Sequence, residues 1–175
     1  MWKALGLLVL LASLPWVARA ADPVPKGELF GGYSYFRSDL GLTSTGFNGG
    51  DVSIAENTNR WLGGVLDFSS HYNGGVNVTS VMYGPQFTYR KNPRLTPFAH
   101  VLVGGVRGSV SYLGISKAEA TIGFAGGGGL DAQVTQHLAV RLIQVDYIFS
   151  HFSAVHQDNM RVSVGLVFRF AFRRQ

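Results

Sequence analysis

Residues able to do chemistry cluster in "SHFSAVHQD" (150–158), where His151 and Ser153 stand two apart. In an extended chain that spacing puts an imidazole base and a hydroxyl nucleophile on one face, with Asp158 further along the same loop to orient His151. The alternative is an ordinary polar loop, which is the preferred reading here. His151 and His156 form a two-histidine pair without a third ligand, too little for a metal centre. The run "GFAGGGGLD" (123–131) has the glycine density of a phosphate loop. It lacks both the Gly-Lys-Ser/Thr element and a following helix, so these are read as strand glycines crowded by neighbouring side chains. His71, His100 and His137 stand alone and are expected at the surface or at an interface. No paired carboxylates are placed for hydrolysis, and no cofactor or metal is expected.

The elements that must position these residues are strands. From Gly27 onward, apolar and polar residues alternate with period two through eight stretches: 28–36, 46–55, 60–70, 77–90, 96–110, 118–134, 138–149 and 159–170. In the last, Val162, Val164, Leu166, Phe168 and Phe170 share one face, while Arg161, Ser163 and Arg169 share the other. In 138–149 the polar phase changes: Arg141 is at an odd position, Gln144 and Asp146 at even ones. A strand does that only by inserting a residue, so a β-bulge is predicted near Leu142-Ile143. In 96–110 the alternation is blurred.

Eight strands without intervening helices pair as antiparallel hairpins. Connections at 56–59, 91–95 and 135–137 are short and polar; those at 37–45, 71–76, 111–117 and 150–158 read as longer loops. Short turns at one end, long loops at the other and an even strand count predict an all-β, eight-stranded antiparallel up-and-down transmembrane β-barrel.

Composition agrees. The 175 residues are 46% hydrophobic and only 14% charged, with 23 glycines and no cysteine, whereas soluble domains carry about 25% charged residues. The first residues run from Lys3 through an apolar stretch to Ala18-Arg19-Ala20, the pattern of a secretory signal cleaved after Ala20. Its removal lowers the formal charge from +5 to +3. That scattered excess gives no reason to expect nucleic acid as a partner. The expected organisation is a signal peptide over 1–20, a periplasmic lead over 21–26, the barrel over 27–172 and a tail over 173–175.

The polar faces decide which way the barrel is turned. A wetted sheet carries many lysines and glutamates; these faces carry glycine, serine and threonine with a few ions of both signs. Asp67, Arg107, Glu119, Asp131, Arg141, Asp146, Arg161 and Arg169 are expected as a mutually neutralising network inside a narrow lumen. Tyr33, Tyr35, Tyr83, Tyr89 and Tyr147 are expected at headgroup level near strand ends. A soluble lipocalin-like carrier, with its apolar face inward, is the opposite arrangement.

The stretches "GGYSYF", "LGGVLDFSS", "TPFAHVLVGG", "GLDAQV", "LAVRLIQVDYIF" and "MRVSVGLVFRF" resemble the small outer-membrane β-barrel family, with its OmpA- and OmpX-type domains and porin-family relatives. The resemblance covers residues 27 to 170 and speaks to architecture. It implies residence in a Gram-negative outer membrane, contact with lipid and lipopolysaccharide, and a terminal signal for the outer-membrane assembly machinery carried by Phe168 and Phe170. Phe172 keeps the same phase as Phe170 and is the alternative terminal aromatic. The expected role is a monomeric structural or interaction protein presenting loops outward, with no wide pore and at most slight leakiness to small solutes. The pair His151 and Ser153 also resembles the His-x-Ser element of outer-membrane lipid A deacylases. That family places its acid on the following strand and has Asn where Ala154 stands here. A lipid A-modifying hydrolase is thus the alternative function, and a soluble carrier the second alternative.

Overall fold

The computed structural model describes residues 24–39, 44–92, 94–112, 115–152 and 155–173. Eight strands follow one another: β1 Val24–Asp39, β2 Ser44–Asn57, β3 Leu62–Asn73, β4 Val76–Thr88, β5 Leu95–Tyr112, β6 Ile115–Gln133, β7 Leu138–Phe152 and β8 Val155–Arg173. Each pairs antiparallel with its sequence neighbours, and β8 closes on β1. Closure gives every strand two partners, so no ladder edge is left unpaired.

The turns at the end bearing both termini are stapled by short polar side chains. Asn59 Oδ1 accepts from the amides of Trp61 and Leu62 at 2.9 and 2.8 Å. Thr135 Oγ1 accepts from those of His137 and Leu138. At the opposite end β3 and β4 meet through Gly74 and Gly75, both at positive φ (55° and 89°), between paired Asn73 and Val76. A two-residue hairpin with both central residues left-handed admits glycine far more readily than other residues.

Three boundaries differ from the sequence reading. Pairing begins at Val24 opposite Arg173 and includes Pro25 opposite Phe172, so the lead and the tail contribute to strands. The connections expected as long loops are largely strand as well: β3 hands over to β4 across two residues, β5 runs to Tyr112 before β6 resumes at Ile115, and β7 to Phe152 before β8 resumes at Val155. Beyond the apolar band both faces of a hairpin can be polar, so alternation fades while backbone pairing continues. Between Phe170 and Phe172, Ala171 takes a positive φ of 52° and the ladder skips its pairing.

The predicted bulge is present. β7 pairs Arg141 with Gly165 and then Gln144 with Ser163, so Leu142 and Ile143 together oppose Val164. Both face outward, Arg141 and Ala139 point inward before them, and Gln144 and Asp146 point inward after them.

The perimeter is apolar and the axis is ionic. Leu66, Phe124 and Leu166 are 46, 58 and 55% exposed, whereas Asp131 and Arg161 are 2 and 0% exposed. A soluble carrier requires the reverse, and that alternative is excluded by these positions. The lumen is less uniformly polar than expected. Phe36, Phe47, Met82, Leu102, Val106 and Ile148 form an apolar layer towards the hairpin end, and Phe30, Ala139 and Val167 form a smaller one nearer the termini. Inward Phe98, Leu102 and Val106 are why the alternation of β5 is blurred in sequence.

Candidate functional site: a sealed ionic lumen

At the centre lies Arg161, fully buried on β8. Its Nη1 and Nη2 donate to the two oxygens of Asp67 on β3 at 2.7 and 3.1 Å, and its Nε and Nη2 donate to Asp146 Oδ2 on β7 at 2.9 and 2.7 Å. The planar guanidinium presents donors in a fixed fork, which lets one side chain hold two carboxylates from different strands. Asp51 of β2 adds a third carboxylate 3.8 Å from Nη1. It accepts from Ser163 Oγ at 2.8 Å; Ser163 lies 3.0 Å from Ser34 Oγ, which in turn is 2.8 Å from His71 Nε2.

The chain of contacts continues towards the termini. Asp146 accepts from Gln144 Nε2 at 2.7 Å, and its Oδ1 pairs with His100 Nε2 at 2.7 Å. Gln144 Oε1 accepts from Arg141 Nη1 at 2.6 Å, and Arg141 grips Asp131 through Nε and Nη2 at 2.8 and 3.2 Å. The Arg141 guanidinium sits between the rings of Phe30 and Phe98, 4.2 Å from each centroid, which compensates part of its desolvation. Lower still, Glu28 pairs with Arg90, accepts from Asn57 Nδ2 at 3.0 Å and lies 4.0 Å from Arg169 Nε. Arg169 Nη1 donates to Gln133 at 3.2 Å. The glycine run of β6 makes room for this packing: a β-carbon at Gly127 would collide with Asp146 Oδ1, and one at Gly129 would meet the Phe98 ring at 2.8 Å.

Asp67, Asp131, Arg141, Asp146, Arg161 and Arg169 are thus brought together inside. Two expected members are not. Arg107 pairs opposite Ala120 and shares the outward face of Val101 and Val103. It was misassigned because inward Val106 and Leu102 make the apolar phase of β5 the inner one. Glu119 keeps the inward phase but lies exposed near the hairpin end, beyond the packed layers. His71 and His100, expected at the surface, are buried at 2 and 3% exposure. His137 is exposed.

Asp51, Glu28 and Arg90, absent from the expected network, also belong to it, as does Gln144, which the sequence marks only as a phase signal for the bulge. Their signal is phase: Asp51 shares parity with Ser53 and Asn57 against outward Val52 and Ile54, and Glu28 alternates with outward Leu29. The side chains of His151 and Asp158, and Ser153 itself, lie outside the described residues.

The outward aromatics divide by environment. Phe168 and Phe170 are lipid-side neighbours with ring centroids 6.5 Å apart, and Phe170 covers Gly27 so closely that no β-carbon fits there. Tyr33 donates to Asn48 Oδ1, Tyr147 packs edge-on to Phe149 at 4.6 Å, and Tyr35 and Tyr89 also face outward. Tyr33, Tyr83 and Tyr147 stand well inside β1, β4 and β7 rather than at strand ends, Tyr83 between Leu66 and Val103 and over Gly64.

A closed eight-stranded antiparallel cylinder with an apolar perimeter and an ion-packed axis is the fold of the small outer-membrane β-barrels. The fold recurs in solved structures of outer-membrane proteins. Neisserial surface protein A matches with a TM-score of 0.73 at 14% identity, over 83% of this chain and 97% of that one. Ail, the attachment invasion locus protein of Yersinia pestis, matches at 0.58 and 18% identity over 82 and 99%. OprG from Pseudomonas aeruginosa matches at 0.57 and 11% identity over 86 and 98%. No protein-family model and no curated protein sequence matches this chain.

Proposed function

We propose that the protein is a non-enzymatic structural and interaction component of a Gram-negative outer membrane. It is exported by its cleaved amino-terminal segment, assembled through the Phe168–Phe170 end of β8, and acts through its surfaces. One observation carries this reading: Arg161 ties Asp67 on β3 to Asp146 on β7 across the barrel axis. The layer of Phe36, Met82, Leu102 and Ile148 packs towards the hairpin end from that bridge. Ions held at 2.7 Å beside a packed apolar layer support a lumen filled by side chains rather than a wide pore. A barrel of this size then has its perimeter and its two ends with which to act. Ail, which shares the fold, has been solved with the heparin analogue sucrose octasulfate, an instance of a barrel of this kind engaging a ligand.

Planar-bilayer recording of the purified protein tests the reading. The expected trace has no stable large steps. Sustained, reproducible large openings would contradict it.

A further inference from the structure

Near the terminus-bearing end, the outer wall carries a shallow, open apolar groove of about 400 Å³. Trp61, Phe87, Tyr89, Pro97 and Ala99 line it, with the Trp61 and Phe87 rings stacked at 6.1 Å and 14°. Its rim is cationic. Lys91 Nζ lies 5.7 Å from the Tyr89 ring centroid, and Arg94 and Arg60 are exposed in the two turns that flank it.

An apolar trough under a positive rim, at the end of the barrel that faces the periplasm, matches one amphiphile. We propose that the groove binds an anionic phospholipid of the inner leaflet. One acyl chain would lie over Trp61 and Phe87, with the phosphate-bearing headgroup held by Lys91 and Arg94. The inference rests on the outer-membrane reading above. Aromatic rings accept a chain without leaving polar groups bare, and each basic residue near a lipid surface favours anionic headgroups.

The chain supplies its own reporter. Of three tryptophans, Trp2 and Trp16 lie in the cleaved amino-terminal segment, so the exported protein carries Trp61 alone. This protein is reconstituted into phosphatidylcholine vesicles containing dibrominated phosphatidylglycerol or, at equal mole fraction, dibrominated phosphatidylcholine. Association at Trp61, read by its quenching, should favour the anionic lipid by roughly thirtyfold, about fivefold for each of the two basic residues, and Lys91→Gln with Arg94→Gln should bring the two lipids level. Equal quenching by both lipids in the parent overturns the site while leaving the barrel in the membrane. A preference that survives the double substitution overturns the assignment to Lys91 and Arg94. No quenching by either lipid overturns the membrane reading itself.

Discussion

Arg161 and Arg107 carry the same charge and opposite expectations. Arg161 is enclosed by Asp67, Asp146 and Asp51, so Arg161→Leu strands three buried carboxylates. Breaking a buried ion network on one side costs about 3–5 kcal/mol. A marked fall in the urea midpoint of the reconstituted barrel is expected, or failure to show heat-modifiable gel mobility at all. Arg107 faces outward between Thr79 and Ala120, where exchanging a cation for an apolar group near the membrane boundary changes stability by about 1 kcal/mol or less. Arg107→Leu should leave the midpoint close to that of the parent. A larger loss for Arg107→Leu than for Arg161→Leu would mean that the lumen and the perimeter have been interchanged.

At the scale of the strand, the bulge is the instructive element. Leu142 and Ile143 both point outward because β7 carries one residue more than β8 across this interval. Deleting Ile143 therefore restores plain alternation with Arg141, Gln144 and Asp146 all still inward. Deleting Val162 from regular β8 inverts one side of the cut; if the upstream part holds its place, Leu166 and Phe168 turn into the lumen and Arg169 into lipid. The expected outcome is a heat-modifiable barrel for the first deletion and none for the second. The bulge was readable in sequence because three polar residues of β7 conflict in parity. Arg107 was not readable, because its strand buries Phe98, Leu102 and Val106 inside and so has apolar residues in both phases. His71 and His100 were missed for a related reason. Isolated polar residues announce neither face until a partner strand supplies Ser34 or Asp146. The hairpin ends were shortened in the reading because serine, asparagine and histidine look like loop residues once the apolar partner in each pair disappears.

For the whole molecule, the strand count, closure and packed axis form one consistent design. Eight strands leave a lumen narrow enough for side chains to fill, and here two aromatic-containing layers alternate with ion pairs along it. Under the proposed structural role, such a plug leaves the perimeter and the ends as the surfaces through which the barrel acts. The groove at Trp61 is one place where the perimeter ceases to be uniform.

The central claim is that Leu166 meets lipid while Val167, its neighbour, meets the lumen. Nitroxide labels placed singly at these two positions through cysteine, in a chain that has none of its own, can be compared in vesicles for collision with oxygen and with a water-soluble nickel chelate. The label at 166 should collide freely with oxygen and rarely with nickel, and the label at 167 should be immobilised and shielded from both. Ready access of nickel to position 166 would contradict the account.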